Sequence, residues 1–133
     1  MQVKPKKSLG QNFLIDNNII EKISSITEVT NKEILEVGPG TGNLTSFLLK
    51  KKPQKFFALE KDKNLYSLLA SKFENKVEIK NLDVLKTDLN KISKKKLIVF
   101  GNLPYNISTE ILCKWILNFD KSYFWFNSLV LMF

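Results

Sequence analysis

A short apolar stretch, Glu33-Ile34-Leu35-Glu36-Val37, runs straight into Gly38-Pro39-Gly40-Thr41-Gly42, and a segment with helical spacing of Leu44, Phe47 and Leu48 follows. This strand–glycine turn–helix pattern constrains the fold more than any other feature of the chain. Glycines let the backbone turn sharply and approach another group without a Cβ in the way, so the strand must end in a tight turn, with or without a ligand against it. The helix closes at Lys50-Lys51-Lys52-Pro53, where cations suit a helix C-terminus and the proline stops it.

The rest of the chain repeats the alternation. Apolar runs at 56–60, 77–80, 97–100 and 128–133 read as strands. Residues 62–73, with Leu65, Leu68 and Leu69 inward, and Ser108 to Leu117 read as helices. An earlier helix, capped by Asp16, puts Ile19, Ile20, Ile23 and Ile26 on one face. Short apolar strands alternating with helices predict an α/β fold: an open, mostly parallel sheet with helices on both faces. In such sheets ligands bind at the carboxyl ends of the strands, where the glycine turn lies. A length of 133 residues suits one domain. There is no internal repeat, and Lys94-Lys95-Lys96 reads as a solvated turn before the fourth strand.

Composition narrows the chemistry. The chain has no histidine, and its 21 basic residues are all lysine. A Ser-His-Asp triad, an imidazole base and a histidine-ligated metal are therefore excluded. One cysteine, Cys113, excludes a disulfide framework, a cysteine-rich zinc site and an iron–sulfur cluster, so no metal is expected, and a reducing cytoplasm is the expected compartment. The lysine-containing N-terminus lacks the unbroken apolar centre of a signal peptide. The apolar run from Trp115 to Phe133 is interrupted by Asn118, Asp120, Lys121 and Asn127, so no membrane partner is expected. A net charge of +8 leaves a nucleic-acid partner open without requiring one.

The glycine spacing is G-x-G-x-G. Position 43 is Asn, where the dinucleotide fingerprint needs its third glycine, and no Gly-Lys-Ser/Thr follows to make a phosphate loop. Two acids occupy consistent positions. Glu60 ends the second strand, where a carboxylate can accept from both ribose hydroxyls of an adenosine cofactor. Asp83 lies just past the third strand, where it can accept from an adenine amino group or simply cap a turn.

Asn102-Leu103-Pro104-Tyr105 follows the fourth strand at the same edge. An exocyclic base amine is a poor nucleophile because its lone pair is delocalised into the ring. The Asn102 carbonyl and a backbone carbonyl of the Leu103-Pro104 turn can accept its two N–H groups and leave the lone pair aimed at a donor. Tyr105 can stack on an extruded base. Catalysis would then rest on orientation and hydrogen-bond acceptors.

Glu36 to Gly42 resembles the first motif of S-adenosylmethionine-dependent methyltransferases, and Asn-Leu-Pro-Tyr-Asn-Ile-Ser, residues 102–108, resembles the signature of the ribosomal RNA adenine dimethyltransferases. Lys6-Lys7-Ser8-Leu9-Gly10-Gln11-Asn12-Phe13-Leu14 is similar to that family's N-terminal motif, which folds over the cofactor. The resemblance implies a Rossmann-like methyltransferase fold. It places Asn12, Leu14, Gly38, Gly40, Glu60, Asp83 and Asn102 around S-adenosylmethionine, with Asn102, Leu103, Pro104 and Tyr105 as the catalytic loop. The expected activity is N6-dimethylation of adenine in small-subunit ribosomal RNA. The expected partners are that RNA or the small-subunit precursor, and the full-length protein is expected to be a monomer. A binding domain without turnover, a large-subunit enzyme and a DNA adenine methyltransferase are the alternatives. Leu103, where the DNA enzymes carry a proline, favours RNA.

Family members continue for roughly as many residues again. Residues 1–133 are therefore expected to form an incomplete methyltransferase domain, with about five of seven strands and without the C-terminal helical RNA-binding domain. The expected strand order is 3-2-1-4-5, which leaves Leu129 to Phe133 on an open edge.

Overall fold

The structure, a computed structural model, describes residues 3–6, 13–117 and 124–132. Five parallel strands form one sheet: β1 (Glu33–Val37), β2 (Lys55–Leu59), β3 (Glu78–Lys80), β4 (Leu97–Asn102) and β5 (Phe126–Met132), in the order β3-β2-β1-β4-β5. Four helices accompany them: α1 (Asn17–Ser24), α2 (Asn43–Lys50), α3 (Lys63–Lys72) and α4 (Ser108–Leu117). The α/β class, the parallel sheet and its order are those the sequence predicts.

The strands are apolar on both faces because both faces are covered. Ile34, Phe56, Ala58, Ile98 and Phe100 pack with Ile20 and Ile23 of α1, Leu44 and Leu48 of α2 and Leu69 of α3. The alternate residues Leu35, Val37, Phe57, Leu59, Leu97 and Val99 pack with Ile111 and Trp115 of α4 and with Val84 and Leu89. The last two belong to 3₁₀ turns over Val84–Lys86 and Leu89–Lys91, which the apolar pattern does not predict. Each is capped by the aspartate before it, Asp83 and Asp88, accepting from a backbone N–H two residues on.

Several expected boundaries shift. Ile19 and Ile26 are exposed, so the buried stripe of α1 is narrower than the isoleucine spacing implies. Asp16 caps that helix as expected, accepting from the N–H groups of Asn18 and Ile19. β2 ends at Leu59, placing Glu60 one residue past the strand. β4 runs on through Gly101 and Asn102 because these pair with Leu131 and Met132 of β5. β5 itself begins at Phe126, with a register irregularity near Leu97 and Ile98. Among the described residues, no helix is long and apolar enough to cross a membrane.

Candidate functional site

Parallel pairing fixes what meets at the carboxyl edge of the sheet. Val37 lies beside Leu59 on one side and Gly101 on the other. One residue further along, Gly38 therefore sits between Glu60 and Asn102. Its N–H donates to the Leu59 carbonyl at 3.0 Å. Gly38 has φ +69°, and a Cβ there would lie 2.9 Å from the Asn102 carbonyl oxygen. Only glycine lets the two loops approach so closely. Gly40, at φ +60°, faces the Phe13 ring, 3.2 Å from where its Cβ would be.

These residues open onto a cleft of about 850 Å³, the solvent at its mouth included. Phe13, Leu14, Glu36, Gly38, Gly40, Glu60, Asn102 and Pro104 are among the residues lining it. Glu60 is almost wholly buried. Its Oε1 accepts from the Asp62 N–H at 2.9 Å and its Oε2 from the Gly40 N–H at 3.4 Å. Burial pushes its pKa up, against those two amide hydrogen bonds. Asp62 caps α3 by accepting from the N–H groups of Asn64 and Leu65, and it pairs with Lys6 at 2.5 Å. Burial opposes its ionisation, but Lys6 and the two amides outweigh that and hold its pKa down.

Glu36 opens the glycine-turn motif, but the sequence reading gives its carboxylate no role. It shares with Ile34 the face of β1 covered by α1, α2 and α3, and it is 1% exposed. The Thr45 hydroxyl of α2 donates to its Oε2 at 2.6 Å. Burial raises its pKa to about 7, with the nearby Glu60 charge adding to the rise. A charged residue inside an otherwise apolar strand was the available signal, since a fully covered strand holds a carboxylate only where a partner or a cavity meets it. Asn43, noted in the sequence only for failing the dinucleotide pattern, donates from Nδ2 to the Leu14 carbonyl at 2.8 Å and ties the N-terminal segment to α2.

The remaining expected site residues are distributed as follows. Leu103 is buried against α4 and the 3₁₀ turns, so its side chain belongs to the core. Pro104 lines the cleft, and its carbonyl accepts from the Ile107 N–H at 3.1 Å. Tyr105 is 65% exposed, outside the cleft wall and beside Pro104 and Asn106, which belong to it. Asp83 does not line the cleft. It caps a 3₁₀ turn and pairs with Lys61 at 3.1 Å, and Lys61 is the one that reaches the lining. Burial of Asp83 is offset by the Leu85 N–H and Lys61, which hold its pKa down. Asn12 lies outside the described residues.

Methyltransferases are among the solved structures that share this arrangement. The 23S rRNA methyltransferase ErmE matches with a TM-score of 0.69 at 29% identity, over 80% of this chain and 43% of that one. A dimethyladenosine transferase from Plasmodium falciparum matches with a TM-score of 0.66 at 28% identity, over 80% of this chain and 39% of that one. The strand order and the glycine turn thus define a Rossmann-like methyltransferase fold. Residues 2–132 match the family model described as ribosomal RNA adenine dimethylase, and the chain belongs to that family. It is 64% identical over 133 residues to ribosomal RNA small subunit methyltransferase A of Pelagibacter ubique, covering all of this chain and 50% of that protein. The chain spans about half the length of the curated relatives it matches.

Proposed function

We propose that this chain is the cofactor-binding and methyl-transfer part of an S-adenosylmethionine-dependent enzyme that dimethylates N6 of adenine in small-subunit ribosomal RNA. The observation that carries the reading is the row Glu60, Gly38, Asn102, in which a buried carboxylate and a side-chain amide flank a turn stripped of Cβ atoms. The cleft fits the cofactor by shape and donor set. Gly38 and Gly40 leave room for a flat or chain-like group along the turn, Glu60 offers a fixed acceptor to ribose hydroxyls, and Phe13 offers an apolar wall.

The bound cofactor would supply an electrophilic methyl group on a sulfonium. Everything else falls to the chain. In this reading Asn102, which lines the cleft with Pro104, would accept from the target amine and fix its lone pair toward the cleft. Tyr105, exposed beside the cleft, would stack on an unpaired adenine. Asp83 is assigned a supporting part, orienting Lys61 at the rim. Asn12 keeps the cofactor contact that the family resemblance implies. The names of the relatives support a ribosomal RNA substrate, and the cytoplasm is then the place of action.

The test is transfer of labelled methyl groups from S-adenosylmethionine to undermethylated small subunits, with DNA and free RNA as controls. Label in dimethyladenine of the small-subunit RNA supports the reading. Transfer to DNA alone overturns the substrate assignment. Cofactor binding without transfer to any substrate leaves the chain a binding module.

A further inference from the structure

The net charge of +8 is not spread evenly over the molecule. All five strands are parallel, so all their starts lie on one edge, opposite the cleft. Lysines gather there. Lys32 precedes β1, Lys55 opens β2, Lys76 precedes β3 and Lys94-Lys95-Lys96 precede β4. Lys50, Lys51 and Lys52, at the end of α2, join the same edge: the Asn31 N–H donates to the Lys52 carbonyl at 3.1 Å, and the Gln54 N–H to the Lys32 carbonyl at 2.7 Å. Lys95 reaches across to the Gln54 side chain at 3.0 Å.

Most carboxylates of this region are taken up by neighbouring groups, Glu74 beside Lys76 being an exposed exception. Glu33 is buried and takes Ser93 and Lys55, the latter at 3.7 Å, and Glu78 pairs with Lys80 at 2.9 Å. Glu21 meets Lys51 at 3.8 Å, and Glu28 accepts from the Thr30 N–H. Lys32, Lys52, Lys76 and Lys94 are exposed, and among the described residues none of these four forms an ion pair. At the cleft edge the pattern reverses, with Asp62 and Asp83 neutralising Lys6 and Lys61.

We propose that this lysine edge is a second RNA-contact surface, gripping the phosphate backbone of a helical RNA segment on the side of the sheet away from the cleft. Four adjacent strand starts span about 15 Å at the usual strand spacing, the reach of several phosphates along one strand. Lysine presents a point charge suited to phosphate contact without base readout. Phe56, Phe57 and Val77 at these strand starts are buried, so the row itself offers no apolar anchor to a lipid surface. The identity of the polyanion rests on the proposed function, but its position is independent of the cleft.

The test compares two variants of equal charge in the chain as it stands. One carries Lys32→Gln, Lys52→Gln, Lys76→Gln and Lys94→Gln. The other carries Lys4→Gln, Lys63→Gln, Lys72→Gln and Lys86→Gln, also exposed but toward the cleft edge, where Lys72 donates to the Thr41 carbonyl at 3.2 Å. Anisotropy of a fluorescein-labelled RNA duplex of about 20 base pairs is followed against salt. The edge variant is expected to bind roughly tenfold more weakly, with a salt slope shallower by about 2–3, and the control variant to change far less. Equal weakening by both sets would reduce the effect to net charge and overturn the proposal, as would no weakening by the edge set. Stronger binding to phosphatidylserine vesicles than to the duplex would overturn the RNA assignment. Acetylation footprinting of the unaltered chain removes any dependence on folding of the variants. Selective protection of the four edge lysines by the duplex supports the surface, and protection elsewhere or none overturns it. Calorimetric titration with S-adenosylmethionine reads the cleft separately. Retained cofactor binding with no edge effect sinks only the second surface, whereas loss of cofactor binding in the unaltered chain sinks the proposed function.

Discussion

Glu36 and Glu60 are buried carboxylates at one end of the sheet, yet burial acts on them through different surroundings. Glu36 has one strong donor, the Thr45 hydroxyl, and its pKa rises from the ordinary 4.5 to about 7. Folding therefore favours the protonated form. The stability that Glu36 contributes is complete below about pH 4.5 and is lost as pH rises through about 7. The full swing is at most about 3 kcal/mol. Glu36→Gln, which can keep an oxygen acceptor for Thr45, is expected to remove this dependence. Urea midpoints measured without ligand from pH 5 to 8 should move increasingly in favour of the variant, and a constant difference would contradict the buried-acid account. For Glu60 the expected effect is on binding. Glu60→Ala should weaken S-adenosylmethionine affinity by about 1.5–3 kcal/mol, the scale of a hydrogen bond to a charged acceptor. Unchanged calorimetric affinity would remove Glu60 from the site. In the loop, Asn102→Ala is expected to lower turnover far more than cofactor affinity. Tyr105→Phe should be mild and Tyr105→Ala severe, and equal losses in the two Tyr105 variants would point to the hydroxyl instead of stacking.

Between elements, the decisive contact is the one where the end of β1 meets the end of β4. A methyl group at Gly38 would press on the Asn102 carbonyl and force an L-residue into the left-handed region. Gly38→Ala is expected to cost about 1–3 kcal/mol in stability and, by displacing Asn102, to lower methyl transfer beyond its effect on folding. A urea midpoint and turnover both equal to those of the unaltered chain would show that the turn can shift without consequence. The glycine spacing made this turn legible in the sequence, because φ > 0 and close approach leave few residues to choose from. Strand type was legible for a related reason: strands covered on both faces must be apolar throughout, whereas the strand order was implied by the family resemblance. Asp83 was not resolvable from sequence, since a ligand acceptor and a turn cap call for the same residue, and here it caps Val84–Lys86. Leu103 was read through its backbone, while its side chain is a core residue. Glu36 went unread because its partner Thr45 lies on another element, a relation that only tertiary packing creates.

At the scale of the whole molecule, the two edge strands are not equivalent. β3 is three residues long and carries Glu78 and Lys80, which discourage another strand from pairing with it. β5 is seven residues long, uncharged and free of proline. Its β4 side is paired at every residue but Asn127, and Phe126, Leu129, Leu131 and Met132 are partly buried. Among the described residues, no strand lies beside its other edge. A long, largely apolar edge of this kind is a template for pairing with a second copy. Trp125 anchors the strand's entry by packing edge-on against Trp115 at 5.6 Å between ring centroids, so β5 is held in place as a preformed edge. A polypeptide of these 133 residues is therefore expected to self-associate at micromolar concentration. Placing lysine at Asn127, which is exposed, or at Ser128 should restore a monomer, since charges on an edge strand are the usual defence of such strands. Size-exclusion chromatography with light scattering reads both outcomes. A monodisperse, cooperatively melting monomer of the unaltered polypeptide would refute the edge-strand argument, and association that persists in the lysine variants would move its cause away from β5.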